Sequence, residues 1–151
     1  MLRTIKFLTL LWFFGTAFDI PVEAGEILNH LINSCSQGLA VTEELAERYR
    51  RIDFPDDPTT KCVLRCMALT LGVYDDKNGI HMGNTWLMFR GERTSPADEK
   101  EFAEQHYRCI ERNLNRVARR DYCGRVYGTY LCYREEFQAL VHKMRRLSGL
   151  V

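Results

Sequence analysis

Apolar residues recur with helical period along nearly every segment of this chain, and the residues between such runs are those that start and stop helices. In "EILNHLINSC", Ile27, Leu28, Leu31, Ile32 and Cys35 fall on one side at spacings of three and four. "VTEELAERYRRI" follows, with Thr42 as N-cap, acidic residues in the first turn and basic ones in the last, so that both ends suit the helix dipole. "DFPDDPTT" then breaks the chain. Pro55 and Pro58 disfavour helix in the residues before them, and Asp57-Pro58 supplies the cap and first position of a third helix through "KCVLRCMALTLG". "GVYDDKNGI" reads as turn chemistry around Gly72, Asn78 and Gly79, and "MGNTWLMFRG" as a short, aromatic-rich helix. Ser95, Pro96 and Asp98 open the next helix with a loose capping box, and Asp121 caps the last, "YCGRVYGTYLCYREEFQALVHKMRRL". No alternating strand, repeat or low-complexity tract stands out. The pattern predicts an all-α fold of six or seven helices.

The first two dozen residues change the picture. Arg3 and Lys6 precede "FLTLLWFFGTAF", and Val22 and Ala24 offer small side chains where a signal peptidase would accept them. Residues 1–24 are therefore read as a signal peptide, leaving residues 25–151 as one domain of ordinary size. A membrane anchor would need about 20 apolar residues, more than this run supplies, so no stable membrane insertion is expected. The expected localisation is secreted and extracellular, with a soluble mature chain.

Charge adds little. The chain carries 21 basic and 20 acidic residues, and removing the leader leaves the balance unchanged. Residues 25–104 hold 9 basic and 14 acidic side chains, residues 105–151 hold 10 and 4. A basic C-terminal third could suit nucleic acid or an anionic membrane. In a secreted protein the plainer reading is arginines solvating outer helix faces, and no nucleic-acid partner is expected.

All six cysteines lie in the mature part, and in an oxidising compartment an even count pairs into disulfides. Cys62 and Cys66, four apart on a helix, sit about 40° from each other around the axis, so each should reach a different neighbour. A zinc site would need a second short Cys/His pair and a redox site would need C-x-x-C, and neither is present. Cys123 and Cys132 lie on opposite sides of theirs, so that helix is bridged to two partners. Gly124 and Gly128, each about 1 kcal/mol worse than alanine inside a helix, suggest close approach of a neighbour or a ligand.

The full spacing is Cys35-x26-Cys62-x3-Cys66-x42-Cys109-x13-Cys123-x8-Cys132. With its short x3 and x8 intervals, it resembles the six-cysteine insect odorant-binding proteins, the pheromone- and general odorant-binding family. "FPDDPTTKCVLRCMALTLGVYDD" looks like that family around its second and third cysteines. The resemblance implies helices around a hydrophobic cavity, with three interlocked disulfides: Cys35 to Cys66, Cys62 to Cys123 and Cys109 to Cys132. It implies a non-catalytic, secreted carrier of small hydrophobic ligands, odorants or pheromones, that delivers to an odorant receptor as a monomer or weak homodimer. The alternative on the same fold is a salivary-type scavenger of biogenic amines or lipids. One departure is the 19-residue extension after Cys132, which is either a further helix or a lid over the pocket.

A pocket of roughly 300–500 Å³ would cost at most on the order of 7–12 kcal/mol if empty, which three disulfides at about 2–4 kcal/mol each would match. Candidate lining residues are Met67, Leu71, Trp86, Leu87, Phe89, Tyr127, Tyr130, Tyr133 and Phe137, with the Tyr127 and Tyr130 hydroxyls placed to orient a ligand carbonyl or alcohol. The carrier reading requires no cofactor and no metal. The resemblance also implies a pocket that acid loosens, to which one of His81, His106 or His142 is expected to contribute. An enzyme is not expected: the sequence contains neither H-E-x-x-H nor G-x-S-x-G. A saposin-like module is disfavoured by the missing paired C-x-x-C near its start.

Overall fold

The computed structural model describes residues 23–91 and 95–147. In order these form α1 (Glu23–Gly38), α2 (Glu43–Arg50), α3 (Pro58–Thr70), β1 (Tyr74–Asp75), β2 (Gly79–Ile80), α4 (Met82–Arg90), α5 (Pro96–Leu114) and α6 (Tyr122–Leu147). The fold is all-α, with six helices among the described residues. The expected leader lies outside them, except for Glu23 and Ala24 at the start of α1.

Local chemistry sets the helix starts. The side chains of Thr42, Asp57 and Ser95 each accept a backbone N–H three residues on, from Leu45, Thr60 and Asp98. The Asp121 carboxylate does the same for the Gly124 amide at 2.8 Å. A Cβ at Gly124 would collide with that carboxylate, and one at Gly128 would stand 3.4 Å from Cβ of Asn113, whose amide donates to the Gly128 carbonyl at 2.8 Å. Both glycines thus serve packing by the protein itself. At its C-terminus α2 closes with hydrogen bonds from Ile52 N–H to Tyr49 and from Asp53 N–H to Arg48, the pattern that places a left-handed residue after the helix. That residue is Ile52, at φ 62°. A β-branched side chain is costly there, and its burial in the core offsets the strain.

At the α3 start, Asp57 is more than a cap. The Thr60 hydroxyl and amide donate to its carboxylate at 2.5 and 2.9 Å, and the buried Tyr49 hydroxyl lies 2.8 Å from the Thr60 oxygen. Burial works to raise the Asp57 pKa, but hydrogen bonds from Thr60 and from the Thr59 amide, with the Arg48 charge, together outweigh it and hold the carboxyl below its usual value. Asp57→Ala is expected to cost about 1–2 kcal/mol at pH 7. A depressed carboxylate stabilises above the unfolded value of about 3.9 and loses that contribution as pH falls through its lower folded value. Denaturant unfolding of wild type and variant at pH 7 and pH 3 should therefore show the gap narrowing in acid. A constant gap would count against the cap.

Three disulfides staple the helices: Cys35–Cys66 joins α1 to α3, Cys62–Cys123 joins α3 to α6, and Cys109–Cys132 joins α5 to α6. This is the order that the resemblance implies. Residues 133–147 continue α6 as a helix, so the described part of that extension is helical; residues 148–151 lie outside the described residues. Its Phe137 and Val141 are buried against α1, α2 and α3 in the larger apolar cluster, around Ile32, Tyr49 and Val63. A smaller cluster joins Trp86, Phe102, Ile110 and Tyr133 between α4, α5 and α6, and Ile80 and Phe89 pack on both.

Two sequence expectations are corrected. On α1 the buried face is Leu28, Leu31, Ile32 and Cys35, while Ile27 is 57% exposed, because it lies a full 100° step from Leu28 and off the stripe. The segment read as a turn also contains a short antiparallel pairing, Tyr74 opposite Ile80 and Asp75 opposite Gly79. Two residues per strand are too few for alternation to register.

Candidate ligand cavity

The two clusters do not close on each other completely. Between them lies a cavity of about 80 Å³ that opens to solvent on one side. Each wall follows from periodicity. From α3 come Leu64, Met67, Ala68 and, just past its end, Leu71; from α6 come Val126, Thr129, Tyr130, Tyr133 and Phe137. Both sets recur at three and four residues. The short α4 contributes Thr85, Met88 and Phe89, and the hairpin and the turn before it contribute Val73, Tyr74 and Ile80. Among the described residues, no Asp, Glu, Lys, Arg or His lines the space.

The wall is apolar in practice as well as in composition. Thr85 and Thr129 donate their hydroxyls back to the carbonyls of His81 and Arg125, at 2.9 and 3.1 Å. Burial pushes the Tyr130 hydroxyl up to about 12 and raises that of Tyr133 further, so both stay protonated over any physiological range. Among the described residues, no group of three or more His, Cys, Asp or Glu is placed to hold a metal ion.

Behind the wall stands His106, 6% exposed. Its ring stacks on Tyr133 with centroids 4.3 Å apart and meets that of Phe102 at a tilt, 4.5 Å away. One ring nitrogen lies 2.7 Å from a Glu136 carboxylate oxygen and the other 2.8 Å from the Phe102 carbonyl. Two acceptors face a ring that offers two N–H groups only when protonated. His81 instead pairs with Asp75 at 2.8 Å near the surface, and His142 is exposed on α6.

The sequence profile of the PBP/GOBP family matches residues 19–136. The chain belongs to that family. It is 24% identical over 128 residues to general odorant-binding protein 99b of Drosophila melanogaster, covering 84% of each. Among solved structures, odorant-binding protein 22a of Anopheles gambiae is 36% identical, with 72% of this chain and 98% of that one covered and a TM-score of 0.62. A structure of the same mosquito protein with the bound odorant cyclohexanone is 34% identical, covering 76% of this chain and 95% of that one, with a TM-score of 0.64.

In this PBP/GOBP chain the cavity brings together Met67, Leu71, Phe89, Tyr130, Tyr133 and Phe137 of the candidate lining residues. Trp86, Leu87 and Tyr127 lie elsewhere. Trp86 is buried edge-on against Phe102, centroids 5.2 Å apart, with Arg90 over its ring. Leu87 is on the outer side of α4, 37% exposed. Tyr127 leans toward the α2–α3 connection, where its hydroxyl donates to the Phe54 carbonyl at 3.5 Å. The cause is phase. The cavity face of α4 is 85, 88 and 89, and choosing its residues by aromatic bulk misses Thr85 and Met88. The 64, 67, 68, 71 period on α3 carries the signal that finds Leu64 and Ala68. The hairpin residues have no comparable signal.

Proposed function

We propose that the mature chain is a secreted, non-catalytic carrier that encloses small hydrophobic molecules, odorants or pheromones, in the cavity between α3, α4 and α6, and delivers them to a receptor. The observation that carries the reading is a cavity whose described lining is apolar and holds no charged side chain, in a family that includes a structure holding cyclohexanone. Such a site binds by burial of apolar surface, with at most a hydrogen bond or two for orientation. Its cost is modest: 80 Å³ at the rate for core cavities is about 2 kcal/mol, which one disulfide offsets. The volume favours compact ligands. Scavenging of amines would call for carboxylates on the wall, and none of the described residues supplies one.

The test is displacement of a fluorescent apolar probe by volatile ketones, alcohols, esters, fatty acids and amines, run at pH 7 and pH 5. Compact neutral compounds are expected to displace the probe, and amines not to. Absence of probe binding would remove the carrier reading, and amines winning would replace it with the scavenger. The expectation that a histidine makes binding respond to acid is read from the affinities at pH 5 and pH 7, and equal values would remove it.

A further inference from the structure

The cavity wall carries five hydroxyl groups, and they are not equivalent. Those of Thr85 and Thr129 are bound to carbonyls of their own helices. Tyr133 donates to the Met82 sulfur at 3.6 Å. Tyr74 makes no hydrogen bond, but its oxygen is fully buried, and Arg125 partly opposes the upward push that burial gives its pKa.

Tyr130 remains. Its ring is fixed among Phe54, Tyr127 and Phe137 with centroids 5.6 to 6.2 Å away. Its hydroxyl has no hydrogen-bond partner among the described residues, it is not one of the fully sealed oxygens, burial dominates its surroundings, and the residue lines the apolar cavity. A donor in that position loses water on burial and gains nothing in exchange until an acceptor arrives. A guest with an acceptor oxygen supplies one, while a hydrocarbon leaves the hydroxyl as it was. The ring itself cannot move to find another partner without disturbing its aromatic neighbours.

We propose that the Tyr130 O–H is the specificity-determining donor of this cavity, and that its ligands are compact apolar molecules bearing one hydrogen-bond acceptor oxygen, such as ketones, aldehydes, esters or ethers. This rests on the carrier reading above and narrows its ligand class. Tyr130→Phe removes the hydroxyl and keeps the ring.

The experiment measures Kd for cyclohexanone and for methylenecyclohexane, a hydrocarbon of nearly the same shape, on the full mature protein and on Tyr130→Phe. Transfer from water cancels in the ratio of variant to wild type. The variant should weaken cyclohexanone about three- to tenfold and leave methylenecyclohexane within about twofold. The infrared carbonyl stretch of bound cyclohexanone should lie lower in wild type than in Tyr130→Phe, and Tyr74→Phe should leave it at the wild-type position. Equal effects of Tyr130→Phe on both ligands, or an unshifted carbonyl band, would overturn the assignment while leaving the carrier intact. If neither ligand binds wild type, the carrier reading falls, and this assignment with it.

Discussion

Replacing Cys62 and Cys123 together with serine is expected to lower stability by about 4 kcal/mol. This bridge spans 61 residues of sequence, against 31 for Cys35–Cys66 and 23 for Cys109–Cys132. It therefore restricts the unfolded chain most. It also joins α3 to α6, the two helices that supply most of the cavity wall, and so reinforces the packing they share in the larger apolar cluster. For a domain of this size the thermal midpoint should fall by on the order of 10–20 °C, read by circular dichroism with both thiols removed so that no odd cysteine remains to mispair. The same change at Cys109 and Cys132 should cost less, about 3 kcal/mol. A midpoint within a few degrees of wild type for the first pair would mean that the staple does not stabilise the hollow fold.

The second large effect is on binding. Ala68 faces the cavity from α3 between Leu64 and Leu71, and phenylalanine there would project a ring into a space of about 80 Å³. Ala68→Phe should weaken an apolar probe about 30-fold or more. Filling the void should also keep the thermal midpoint equal or raise it, because the lost cavity had a cost of its own. Both readouts matter together. A folded variant that binds as wild type would place the ligand outside this cavity, whereas a collapse in stability would show the space to be smaller than its walls indicate.

Much of the scaffold was legible because its causes lie within a few residues of one another. Thr42, Asp57, Ser95 and Asp121 each cap a helix through an amide three positions on, and such contacts are written in adjacent letters. The placing of Cys62 and Cys66 on one side of α3, and of Cys123 and Cys132 on opposite sides of α6, followed from helical angles alone, and the family spacing supplied their partners. The cavity is different. Its wall is assembled from α3, α4, α6 and a hairpin, and which face of α4 turns inward depends on how Trp86 packs against Phe102 from α5. Nothing near Trp86 in the sequence encodes that contact, so its bulk suggested a lining role that Met88 fills instead. The buried ring of His106 is similar: its Glu136 partner lies 30 residues away.

Of the three helices that wall the cavity, α4 alone carries no cysteine. It spans only nine residues and ends at Gly91, at φ 76°. The frame of α3 and α6 is cross-linked, whereas α4 is held by packing alone, through Trp86 against Phe102. In the carrier reading proposed above, release is expected through this wall, because moving it breaks no covalent tie.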